Sequence, residues 1–225
     1  MTAQLTQILI FLIITMWTGV SFGDSATYSL SIFSGAVFNS KEDLHIKQDG
    51  FEDILVDDAK FKTKPFSGAP YYGIRLSRWK NNRAWEIEHI HHKLYLDDLP
   101  PDVQKFEISD GYNLFLINHA WKLYNKYVLR VGAGAVISHP DITVRGKTNF
   151  KRGGGAIPVI WSDGYRCCGI TGQLSIAREI NLYKKLFLNP EIKITHSRQD
   201  VPIADGSVQV HNTALHLDFG FGYNF

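Results

Sequence analysis

At 225 residues with a formal net charge of +2, the chain is long enough for one domain and lacks the basic excess that bulk binding of nucleic acid requires. Aromatic residues make up 13% of it, glycines number 19 and the mean hydropathy is -0.12, which excludes a polytopic helical membrane protein and points to β structure.

Residues 8–20 form an apolar run, followed by the small residues Ser21 and Gly23 and then by polar Asp24 and Ser25. That order fits a secretory signal cleaved near Gly23, giving a leader over 1–23 and a mature domain over 24–225. Neither Lys nor Arg precedes the run, so an uncleaved anchor is the alternative. Its lack of a following Cys argues against a lipoprotein signal. Beyond it, no stretch reaches the about 18 to 20 apolar residues of a spanning helix. A chain that also spans a membrane must therefore do so with strands.

Period-two alternation then recurs along the chain. Tyr28, Leu30 and Ile32 oppose Ser29 and Ser31; Tyr72, Ile74 and Leu76 oppose Gly73, Arg75 and Ser77; Trp85 and Ile87 oppose Glu86 and Glu88. Residues 111–124 are apolar on both faces, so they fix no register and are open to a bulge. Leu129, Val131, Ala133 and Ala135 oppose Arg130, Gly132 and Gly134, and Ile170, Leu174 and Ile176 oppose Thr171, Gln173 and Ser175. Leu186, Leu188, Ile192 and Ile194 oppose Asn189, Glu191, Lys193 and Thr195. The last segment is the cleanest: Leu215, Leu217, Phe219, Phe221, Tyr223 and Phe225 on one face, with His216, Asp218, Gly220, Gly222 and Asn224 on the other.

Only helices and closed barrels satisfy every backbone group inside a bilayer. The expected fold is thus all-β, an eight-stranded antiparallel up-and-down transmembrane barrel of the outer-membrane type. Its terminal aromatic pattern resembles the signal read by the outer-membrane assembly machinery, an expected partner during biogenesis; a monomer is expected. Short turns at 80–83, 124–126 and 181–184 belong on the periplasmic side, and long loops at about 39–67, 97–110, 139–165 and 197–211 outside. Seven inward charges, Arg75, Glu86, Glu88, Arg130, Glu191, Lys193 and Asp218, should fill the lumen as mutual pairs. Adjacent Cys167 and Cys168 should point to opposite faces, which favours two free thiols.

This topology places His89, His91, His92, His139, His196 and His211 near the outer rim, together with Glu88, Asp97, Asp98, Asp110, Asp141 and Asp200. Imidazoles and carboxylates together can ligate a transition metal or move protons. Strand parity turns His92 inward with Glu86 and Glu88, whereas His89 and His91 face lipid or loops, and His92 is preferred on that ground. A structural reading as amphipathic interface residues stands beside it. Lys93, Lys105, Arg145 and Lys147 could pair with lipopolysaccharide phosphates or be plain solvated charges.

The segments 70–75, 92–95, 106–113 and 131–135, followed by His139-Pro140, resemble the lipid A oxidase family of outer-membrane barrels. The likeness covers roughly residues 68–145; the loop 149–165 has no counterpart. It implies an oxidoreductase that oxidises the proximal glucosamine of lipid A to aminogluconate with dioxygen as co-substrate and a divalent redox metal, Fe, Mn or Cu. Carried over residue by residue, it implies catalytic roles for His92, Asp110 and His139, a metal set of these with Glu88, and substrate contacts from Lys93, Tyr95, Asn113 and Arg145. The partner would be outer-leaflet lipid A. The alternative is a non-catalytic outer-membrane barrel serving membrane integrity, adhesion or surface interaction, and a further one is a lipid A deacylase or acyltransferase.

Overall fold

The computed structural model describes residues 26–64, 70–124, 126–148 and 164–225. The leader and most of the loop 149–165 lie outside the described residues. Among the described residues fourteen strands run in chain order: β1 (Thr27–Asn39), β2 (Glu42–Gln48), β3 (Ile54–Ala59), β4 (Phe61–Lys62), β5 (Tyr72–Lys80), β6 (Arg83–Leu96), β7 (Val103–Leu123), β8 (Tyr127–Ser138), β9 (Asp141–Val144), β10 (Lys147–Thr148), β11 (Arg166–Arg178), β12 (Ile180–Tyr183), β13 (Leu186–Ile203) and β14 (Gly206–Asn224).

Eight of them close a ring by antiparallel pairing, in the order β1, β5, β6, β7, β8, β11, β13, β14 and back to β1. Closure leaves these strands paired over the part that spans the membrane, which is what hydrocarbon requires of them. The outward residues of the ring are large and exposed: Leu30 and Ile32 on β1, Trp85 and Ile87 on β6, Leu174 and Ile176 on β11, and Leu217, Phe219, Phe221 and Tyr223 on β14. They form the lipid-facing belt of an outer-membrane barrel.

All seven charges read as inward lie in the lumen. Arg75 reaches Glu88 (Nε to Oε2, 3.0 Å) and Glu191 (2.8 Å); Lys193 reaches Glu88 (2.6 Å) and Asp218 (3.2 Å); Arg130 reaches Glu86 (2.9 Å). Amides from Asn118 and Gln173 donate to Glu88 at 2.6 and 2.8 Å, so its lone pairs are filled from several strands. Below this layer Trp79, Ala84, Ala120, Val128 and Ala177 form a small apolar plug at the end that carries the short turns.

The outer half differs from the loops read in the sequence. Among the described residues, most of those long segments are in strands. β13 and β14 continue in register to Ile203 opposite Gly206, so 197–211 is a long hairpin and not a loop. β2 pairs with β14 and β3, β4 with β6, and β9 with β7 and β10. The physical reason is a second core: Leu44, Ile46, Phe61, Leu94, Phe106, Ile108, Ile142, Val144, Val201, Ile203, Val208 and Val210 are buried together above the ionic layer. Burying each such side chain is worth about 1.5–3 kcal/mol, which holds short strands that could not stand alone.

Two further differences are local. β12 pairs with β13, moving the last periplasmic reversal from 181–184 to residues 184–185. Cys167 and Cys168 are bonded through their sulfurs. The register of β11 on β8 shifts between Cys167 and Gly169, which suspends there the alternation that would part them.

Candidate functional site

The stretch of β7 that is apolar on both faces carries an irregularity where it leaves the membrane. Opposite it, β6 runs from His92, paired with Tyr112, to Leu94, paired with Ile108, so one residue of β6 faces three of β7. Gly111, at φ +127, makes the bend, and its carbonyl accepts from the His139 backbone N–H at 3.0 Å. This bulge throws Asp110 outward beside the end of β8. His139 and Asp110 meet there at 3.5 Å, the Tyr165 ring stands 4.9 Å from His139, and the Tyr165 hydroxyl donates to the Asp110 carbonyl at 3.2 Å. Burial, with Asp110 and Tyr72 nearby, raises the Tyr165 pKa.

Next to it on the same outer wall lies an imidazole–amide cluster. His91 pairs across β6–β7 with Asn113 and across β5–β6 with Tyr72. Asn113 Nδ2 donates to the Ile137 carbonyl at 3.2 Å, which leaves its Oδ1 as acceptor for His91 Nδ1 at 3.0 Å and His89 Nε2 at 3.1 Å. Tyr72 stacks on His91 at 5.2 Å between ring centroids, and Phe115 on His89 at 4.6 Å. The amide thereby fixes both tautomers and both ring planes. In the neutral ring, His91 Nε2 is left as an acceptor, and this buried atom has no hydrogen-bond partner.

His92 is elsewhere. Parity turns it into the lumen, as the sequence indicated, where it is fully buried between Tyr71, Tyr112 and His216, with ring centroids at 6.4, 6.2 and 5.7 Å. Its Nε2 donates to Asn39 Oδ1 at 3.1 Å. His216 is held by the Tyr71 hydroxyl and Thr195, both at 2.9 Å. Glu88 belongs to the ionic layer. The structure thus brings His139 and Asp110 together and leaves His92 and Glu88 on the other side of the wall. Among the described residues, no group of three or more His, Cys, Asp and Glu is arranged to hold a metal ion. The metal set implied by resemblance does not fit this geometry.

The residues carried over as substrate contacts also divide. Lys93, Tyr95 and Asn113 share the outer wall. Arg145 sits at the apex instead, bonded to Asp102, Gln48 and the Glu52 carbonyl at 3.1, 3.3 and 3.0 Å, and stacks on Phe51. In the sequence Tyr72 reads only as a strand residue, and His89 and His91, placed at the rim facing lipid or loops, rank below His92. Their signal was present: polar rings on the lipid-facing parity mark where a strand leaves hydrocarbon.

No family profile matches this chain, and no curated protein matches it. Solved structures do. The outer-membrane protein AlkL, determined in lipid bilayers, is 11% identical, with 90% of this chain and 91% of AlkL covered, at a TM-score of 0.51. OprG from Pseudomonas aeruginosa is 12% identical over 90% and 96% of the two chains at a TM-score of 0.40, and Ail of Yersinia pestis 12% identical over 89% and 97% at 0.37. The AlkL likeness bears on the fold alone. With the lipid-facing belt and the closed ring, it makes this chain an outer-membrane β-barrel.

Proposed function

We propose that the chain is a non-catalytic outer-membrane barrel serving membrane integrity and surface contact. One observation carries this reading: the outer half is a strand-built crown packed around its own apolar core, so the protein presents a rigid surface above the membrane. The lumen below it is occupied by ion pairs and an apolar plug, which suits a structural barrel better than a wide pore.

Lipid A modification is the second reading, favoured by the His139–Asp110 pair and the His89–Asn113–His91 cluster, which sit on the outer wall where the strands leave the membrane, with His91, Asn113 and His139 buried. Mass spectrometry of lipid A from cells with and without the gene, grown with and without oxygen, separates the two when combined with uptake of an apolar dye. Unchanged lipid A and faster dye uptake in the deletion strain is the expected result. An oxygen-dependent gain of one oxygen atom in lipid A, lost with the gene, would overturn it in favour of oxidation.

A further inference from the structure

The lipid-facing belt dips on the wall made by β8, β11, β13 and β14. β13 pairs with β11 as far as Glu191 opposite Ala177, and with β12 from Leu188 opposite Ile180. Pro190 falls in the gap. It has no N–H to give a neighbour, and it presents a compact ring where Leu188 and Ile192 on the same face present longer side chains. Carried across the gap, the register sets Arg178 opposite Pro190, with Tyr127 paired to Arg178 on one side and Phe219 to Pro190 on the other. Over the proline lies a groove of about 410 Å³, walled by Tyr127, Ile176, Ile192, Leu217 and Phe219, with Arg178 at its edge. Pockets that take small ligands run from about 300 to 1,000 Å³, so the groove is large enough to hold one.

Arg178 shares the outward parity of Leu174 and Ile176 and is exposed. The stretches 122–127 and 178–188 hold a single acidic side chain, Glu179. Lys122 takes it at 2.8 Å, and among the described residues Arg178 has no ion pair. A guanidinium on the lipid face is disfavoured in hydrocarbon and reaches for the headgroups instead. Tyr127 opens β8 just after β7 ends at Leu123, so this row lies at the headgroup boundary on the short-turn side. Lys126, Lys184 and Lys185 are exposed in the flanking turns. We infer that the groove seats an acyl chain of an anionic glycerophospholipid of the periplasmic leaflet, with its phosphate on Arg178. Two independent features agree on that occupant. Apolar walls open to hydrocarbon fit a chain and not a sugar or a peptide, and cations without acidic counterparts select an anionic headgroup. The groove lies at the opposite end of the barrel from the His139–Asp110 pair, so it serves either reading of function.

The test uses the full mature protein in nanodiscs of phosphatidylcholine containing a minor fraction of phosphatidylglycerol. Native mass spectrometry of the released protein should show one phosphatidylglycerol retained in preference to phosphatidylcholine. Arg178→Gln should retain it about fivefold less, and a distant cation change, Lys147→Gln in the crown, should not alter it. Pro190→Leu, which fills the groove and leaves Arg178 in place, should lose bound lipid of either kind. Excess inorganic phosphate should leave the adduct in place, because the chain holds it. Equal retention by Arg178→Gln or by Pro190→Leu, no preference for the anionic lipid, or displacement by free phosphate would each overturn the inference. A dimer without lipid would overturn it too, by giving the groove to a second copy of the chain. Heat-modifiable migration is the folding control. If Pro190→Leu fails it, Arg178→Gln alone carries the test, since its side chain is exposed on the outside of the barrel.

Discussion

Lys193 shows how the lumen is held. Its ammonium lies 2.6 Å from Glu88 and 3.2 Å from Asp218, with no solvent exposure on either side. Glu88 also takes Arg75, Asn118 and Gln173, so each charge in this layer is satisfied from several strands. Removing one member leaves its partners charged in a medium that cannot solvate them. Lys193→Met should therefore cost about 3–5 kcal/mol, seen as a lower temperature for the shift between folded and unfolded migration. Lys41→Met, which breaks an exposed pair with Asp58 at 3.3 Å, should cost at most about 1 kcal/mol in the same assay. Equal losses would mean that the ionic layer is not what closes the lumen.

At the scale of elements, the hairpin of β13 and β14 is the longest feature that joins membrane to crown. Ile203 faces Gly206, leaving Ala204 and Asp205 as a two-residue turn, with Asp205 at φ +56. A left-handed backbone suits Gly, Asn or Asp and strains a β-branched residue. Asp205→Gly should be neutral within about 0.5 kcal/mol, and Asp205→Val should cost about 1–2 kcal/mol, read by urea unfolding in detergent. Both would act through the turn, because Asp205 otherwise makes an exposed pair with Lys147 that a control Lys147→Met isolates.

The eight ring strands were legible because lipid on one side and a filled lumen on the other enforce strict alternation, as along 215–225. The crown was not. Its strands are short, pair with different neighbours and alternate only over a few residues, so Val201, Ile203, Val208 and Val210 read as parts of loops until their shared core is seen. The site was legible in composition and in parity. Parity placed His92 in the lumen and His139 on the opposite, outer face, but Asp110 shares the inward parity of Tyr112 and Asn118 and is not turned outward by that rule. What no spacing revealed was the three-for-one bulge near Gly111, a backbone event that brings Asp110 to the end of β8.

At the scale of the molecule, one end is flat and the other tall. Tyr28 and Phe225 exchange backbone hydrogen bonds at 3.3 and 2.8 Å at the same end as the turns at 80–83 and 184–185. β13 and β14 have 18 and 19 residues, whereas a tilted strand needs only about 9–11 to cross hydrocarbon, so roughly half of each stands above it. This asymmetry gives the barrel a direction that can be read on intact cells. Gly50, at φ +80 with open space around it, tops the β2–β3 hairpin of the crown, and Asn81 at φ +55 makes the two-residue turn between β5 and β6 at the other end. A short peptide tag inserted after Gly50 should be labelled by antibody on unbroken cells. A tag after Asn81 should be labelled only once the outer membrane is permeabilised. The opposite pattern would put the crown in the periplasm, and with it the outward wall of His89, His91 and Asn113 would lie against the inner leaflet, where neither surface contact nor an outer-leaflet lipid could reach it.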